Sequence, residues 1–161
     1  MSLKNILNRY FKPFNINGSI GARRLSEASL AAVEIRKVLK ITFPGVKFSV
    51  TSETYAGGDS VNIGWTNGPT EDEVKKYTKD FQAGHFDSQA DIYEYSNTNN
   101  LPQVKWIFWN RRISEKLQKF LDVEVRAILP QANLDDYDYE IEVARYKRKL
   151  LKDHSFPANI D

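Results

Sequence analysis

The sequence predicts an α+β fold, an antiparallel sheet with helices packed on one face in a single domain. Two apolar stripes with steps of three and four residues, over 27–42 and 115–129, have the period of amphipathic helices. Between them Val46, Phe48 and Val50, then Val61, Ile63 and Trp65, alternate with polar residues, the period of half-buried strands. The resulting order of helix, hairpin, helix, strands and helix segregates helices from an antiparallel sheet.

Residues 1–22 read as an N-terminal extension: Leu3, Ile6, Leu7 and Tyr10 fit one amphipathic turn, which Pro13, Asn15, Asn17, Gly18 and Gly21 break. Ser26 is the expected N-cap of the helix over 27–42, with Leu25, Ala28, Ala32, Ile35 and Leu39 as its stripe and Phe43-Pro44-Gly45 as its stop. The link from Tyr55 to Asp59 supplies glycines for a hairpin turn, and Asn67-Gly68-Pro69 makes a second turn. Thr70 to Glu73 reads as a capping box, followed by a helix with Val74, Tyr77 and Phe81 inward and Gly84 at its end. Asp91–Tyr95 and Val104–Asn110 are strand candidates, and Ser114 caps the helix that Pro130 stops. Over 137–143, alternation of Tyr137, Tyr139, Ile141 and Val143 with acids favours a strand, although Leu134, Tyr137, Ile141 and Ala144 also fit a helix. The expected organisation is thus an extension over 1–22, a core domain over 23–130, and a C-terminal strand or helix with a tail over 131–161.

Composition narrows the function classes. With 161 residues, 41% hydrophobic and 27% charged, the chain builds a core and is not wholly disordered. No run of about 18 apolar residues exists to cross a membrane, and the first residues make a poor secretory signal, so a cytoplasmic protein is expected. Without cysteine there is no disulfide, thiol nucleophile or thiolate metal site. The net charge of +2 is too balanced to imply nucleic-acid binding or whole-molecule DNA mimicry. Its distribution is uneven: residues 1–50 carry nine basic and two acidic side chains, and residues 51–100 three and nine.

From Phe43 to Tyr95 the chain carries Phe43-Pro44-Gly45-Val46-Lys47-Phe48-Ser49-Val50, Tyr55-Ala56-Gly57-Gly58-Asp59-Ser60-Val61 and Gly64-Trp65-Thr66-Asn67-Gly68-Pro69-Thr70. Phe81-Gln82-Ala83-Gly84-His85-Phe86-Asp87 and Asp91-Ile92-Tyr93-Glu94-Tyr95 follow. In order and spacing this segment resembles the large polyvalent protein-associated domain, class twenty-nine, of phage and conjugative-element proteins. The resemblance implies a protein that travels with, or is expressed early from, an invading element and blunts host defences. It brings no catalytic residues with it.

Several constellations can carry chemistry. His85 with Asp87, Asp91 and Glu94 could serve as an acid–base group or hold a divalent metal, while Gly84–Asp87 also reads as an ordinary helix-ending loop. Tyr55, Gly57, Gly58 and Asp59 could offer backbone donors to a phosphate, but lack the strand and helix context of a P-loop and read more simply as a hairpin loop. On a strand, Val104, Trp106 and Phe108 share one face, and Lys105, Ile107, Trp109 and Arg111 the other. A tryptophan beside arginines suits a protein interface or stacking on bases, and equally a covered core. Arg23, Arg24, Arg36, Lys37 and Lys40 could form a basic face on the first helix, suited to phosphates or simply to water. Asp136, Asp138, Glu140 and Glu142 would line one edge of a strand, solvated or paired with the basic cluster after them.

The leading expectation is a small non-enzymatic accessory protein of a phage or mobile element that binds a host protein in counter-defence, without a cofactor. Its expected contact residues are Tyr55, Gly57, Gly58, Asp59, Trp109, Arg111 and Arg112. A nucleic-acid-binding module using the basic helix and the Trp/Arg strand is the first alternative, and a metal-assisted hydrolase centred on His85 the second.

Overall fold

The computed structural model describes residues 25–87, 89, 92–95, 101–129 and 135–153, with the backbone alone at 85–87, 93 and 94. The expected extension over 1–22, Arg23 and Arg24 of the expected basic face, and the end of the expected C-terminal tail lie outside the described residues. The chain divides into two compact units. One comprises the residues up to Trp65 together with Glu71–Asn110; the other comprises Thr66–Thr70 and the residues from Arg111 onward.

The first unit begins with helix α1 (Glu27–Thr42), where the Ser26 hydroxyl accepts from the Ser29 backbone N–H at 3.2 Å, the N-cap bond the sequence predicts. Ala28, Ala31, Ala32, Ile35, Val38 and Leu39 are buried, whereas Leu25 lies outside the stripe and is exposed. Strands β1 (Phe48–Tyr55) and β2 (Gly58–Thr66) pair antiparallel, with Phe48 opposite Trp65, Val50 opposite Ile63 and Ser52 opposite Val61. The apolar members of these pairs share a core with the buried side of α1. Burying an aliphatic side chain of this size contributes about 1.5–3 kcal/mol.

Helix α2 (Glu71–Thr78) starts with three acids at its positive end and passes into a 3₁₀ turn, Lys79–Phe81. Val74 and Phe81 are fully buried in the same core. The sequence predicts a helix running to Gly84, but Gly84–Asp87 is strand β3, paired antiparallel with β4 (Ile92–Tyr95). The cause is non-local. The Ala83 N–H bonds the Val104 carbonyl at 2.8 Å, and the Val104 N–H bonds the Phe81 carbonyl at 2.9 Å, so this backbone is drawn away from helical pairing.

Strand β5 (Trp106–Arg112) joins the first sheet beside β2, giving the order β1-β2-β5. The α+β class holds, and the sheet is mixed: β1 and β2 are antiparallel, β2 and β5 parallel. The Lys105 N–H meets the Asp59 carboxylate at the start of both strands, and the Asn67 N–H meets the Arg112 carbonyl at their ends. Parallel neighbours need a long crossover, which residues 67–105 provide.

In the second unit, α3 (Glu115–Ile128) is capped by Ser114, whose hydroxyl accepts from the Leu117 N–H at 3.3 Å. The segment expected to favour a strand over 137–143 is instead part of helix α4 (Asp136–Asp153). The Asp135 carboxylate accepts from the Asp138 N–H at 2.8 Å, satisfying an otherwise orphaned donor at the helix start. Tyr139, Val143, Tyr146 and Leu150 then recur at helical spacing and pack with Val125 and Leu129. The four acids Asp136, Asp138, Glu140 and Glu142 therefore do not line a strand edge.

Candidate binding surface

The sheet of the first unit has two unlike faces. One carries Phe48, Val50, Val61, Ile63 and Trp65 into the core shared with α1. The other carries Ser49, Thr51, Glu53 and Tyr55 along β1, all exposed, then along β2 the buried Ser60 and the half-buried Asn62 and Gly64. On β5 the alternation assigns Trp106, Phe108 and Asn110 to this second face; Phe108 and Asn110 are exposed and Trp106 is half-buried. Tyr55 at 46% and Phe108 at 47% exposure are its large uncovered side chains. Solvent-facing aromatics of this kind are the side chains that anchor protein interfaces.

The Tyr55–Asp59 loop at one end of this face is held by Lys105. Gly57 takes φ +95°, a conformation that glycine adopts without steric cost. The Lys105 backbone N–H donates to Asp59 Oδ1 at 2.8 Å, and its ammonium donates to the Gly57 carbonyl at 3.1 Å. A Cβ placed on Gly58 would stand 3.0 Å from Lys105 Cδ, so the missing side chain is the space through which the lysine stem passes. Asp59 is thus engaged within the fold, and the exposed group that the loop presents is Tyr55.

Trp109 lies on the covered side of β5 with Ile107. It is half-buried against the core, its indole N–H donates to Thr78 Oγ1 at 2.9 Å, and the Lys75 ammonium lies 5.3 Å from its ring centroid. Its polar edge is therefore satisfied within the first unit. Arg111 belongs to the second unit, where its guanidinium donates to the carbonyls of Asn67 at 3.3 Å and Gly68 at 2.8 Å, clasping the turn. Arg112 is exposed and offers its carbonyl to the Asn67 N–H at 2.7 Å. Of the residues singled out from sequence, Tyr55, Gly57, Gly58 and Asp59 are brought together. Trp109 occupies another position in that unit. Phe108 is the exposed aromatic that sequence reasoning did not select; alternation sets it on the face opposite Ile107, and the burial of Ile107 in the structure marks that face as the outer one.

For the His85 constellation, the backbone register sets His85 opposite Glu94 and Asp87 opposite Ile92. Asp91 and the side chains of His85, Asp87 and Glu94 lie outside the described residues. Among the described residues no cluster of three or more histidine or carboxylate side chains suited to a metal is present.

In the second unit Arg126 bridges the two helices. It donates to both Glu140 oxygens, at 2.8 and 3.0 Å, and to Asp122 at 3.0 Å, while Lys147 also bonds Asp122. Hydrogen bonds from Lys147 and then Arg126 hold the Asp122 carboxyl below its ordinary range, and Arg126 does the same for Glu140. This network joins the unit's own helices.

Residues 26–118, more than half of the chain, match the family model described as large polyvalent protein associated domain 29. The match takes in the segment from Phe43 to Tyr95 and reaches from the cap of α1 into α3. No curated protein and no solved structure matches the chain. No helix among the described residues is long and apolar enough to cross a membrane.

Proposed function

We propose that this chain, which belongs to the large polyvalent protein associated domain 29 family and is accordingly a phage- or mobile-element-associated protein, is a non-enzymatic accessory protein that binds a host protein in counter-defence. The observation that carries the reading is the pair of exposed rings, Tyr55 and Phe108, on the sheet face opposite the one that packs on α1. The partner's apolar side chains would cover these two rings, and the lysine-braced loop would meet its rim. Preordering of that loop lowers the conformational entropy lost on association. Arg112 is the exposed cation of the expected contact set, and Trp109 contributes by holding β5 in position.

The test is capture of partners from host lysate by the tagged chain, alongside Tyr55→Ala and Phe108→Ala variants shown to be folded by circular dichroism. The expected outcome is one host protein retained by the parent chain and weakened about tenfold or more by each variant, the size of a typical interface anchor. Retention of that protein unchanged by both variants would refute the assignment of this face.

A further inference from the structure

We propose a second site, independent of the sheet face: a cleft in the first unit that binds a phosphate joined to a planar base, as in a nucleotide or a single-stranded nucleic acid. The cleft has a volume of about 490 Å³ and lies where the end of α1 turns into β1. Pockets of about 300–1,000 Å³ suit small ligands or a short piece of a larger one. Arg36, Lys40 and Lys47 line it together with Phe43, Pro44 and Phe48, and no acidic side chain is among its described lining residues. Three cations without a lining carboxylate set a positive field over an apolar floor, and concave low-dielectric walls focus such a field.

The two rings of that floor are fixed from behind. Phe43 and Phe48 have centroids 5.9 Å apart; Phe43 meets Tyr77 edge-on at 5.8 Å, and Phe48 meets Trp65 at 5.6 Å. Rigid aromatic rings beside a cationic groove are the arrangement on which unpaired bases stack while their phosphates are neutralised. Arg36 also donates to the Val50 carbonyl, which ties its side chain to β1. Lys40 and Lys47 are exposed residues on opposite sides of the turn between α1 and β1, so their charges flank the rings. An acidic peptide would satisfy the cations but would leave the rings without a planar partner, so the combination favours the nucleotide chemistry.

The experiment uses the full chain and fluorescence anisotropy with a labelled oligo-dT of about ten nucleotides, within the span of known single-strand sites. Single-strand affinity falls with salt by a power of about 0.7 per neutralised phosphate, so three contacts give about a 20-fold loss between about 50 and about 200 mM salt. Lys40→Gln/Lys47→Gln, both exposed positions, should weaken binding and reduce that loss to about threefold, with an unchanged melting temperature as the control for folding. An abasic probe of the same length should bind at least about fivefold more weakly, since each stacked base contributes about a fivefold factor or more. Competition by adenosine monophosphate identifies a free nucleotide as sufficient, and competition by oligonucleotide alone identifies a strand; both support the site. Failure to bind at low salt, equal binding of the abasic probe, an unchanged salt dependence in the double variant, or equal displacement by polyglutamate would each overturn it.

Discussion

Asn67 is the one non-glycine residue in the left-handed region among the described residues, with φ +57°. Its amide explains why asparagine stands there: the side-chain nitrogen donates to Ser114 Oγ at 3.0 Å, and the side-chain oxygen accepts from the Ser114 N–H at 2.9 Å. Asn67→Ala loses both bonds and keeps the backbone strain, so it should lower stability by about 1–3 kcal/mol in urea unfolding. Asn67→Gly relieves the backbone term and should cost less; an equal loss in the two variants would remove the strain argument. Thr78 makes a comparable case. Its hydroxyl donates to the Val74 carbonyl and accepts from Trp109, both at 2.9 Å, in a fully buried position. Thr78→Val should therefore destabilise by about 1–3 kcal/mol by the same measurement. Trp109 also shows where sequence reasoning stops at this scale. Trp106, Phe108 and Trp109 are all aromatic, so alternation divides β5 into two faces without identifying the covered one; a threonine 31 positions earlier supplies the partner of the indole.

At the scale of elements, the helices were legible where cap and stripe agreed. Ser26 and Ser114 each open a helix within one residue of expectation, and the buried sides of α1 and α3 contain most of the anticipated positions. Helix α4 was less legible because Tyr137, Tyr139, Ile141 and Val143 satisfy a two-residue period over just the length of a strand. The deciding information lies further along, at Tyr146 and Leu150, and at the Asp135 cap. The charges between α3 and α4 give a pH prediction. Asp122 and Glu140 have folded-state pKa values below their ordinary 3.8 and 4.5. Their contribution is present above those ordinary values and is lost as pH falls through the lower folded ones. Thermal unfolding should thus show an acid destabilisation beginning below about pH 4.5 that is reduced in Arg126→Gln. Because the pairs are exposed, the effect should be modest and should shrink further in high salt.

At the scale of the whole molecule, the α+β class and the β1–β2 hairpin follow from local pattern, while the direction of β5 does not. Nothing in residues 104–112 distinguishes parallel from antiparallel addition; the long connection from residue 67 to residue 105 does, by making a crossover possible. The family assignment was legible for a similar reason in reverse, since its residues from Phe43 to Tyr95 are contiguous and ordered.

The parallel placement of β5 beside β2 has a consequence during synthesis. A growing polypeptide can form α1 and the β1–β2 hairpin from adjacent stretches, but it must wait some forty residues for Val104 and Ile107 to emerge and complete the same core. Contacts so distant in sequence delay folding and prolong exposure of the half-built apolar layer. Ribosome-arrested nascent chains that stop before Trp106 should accordingly be cleaved rapidly by protease, and those long enough to release Arg112 from the exit tunnel should resist, marking the last strand as the point at which the newborn protein becomes safe from degradation.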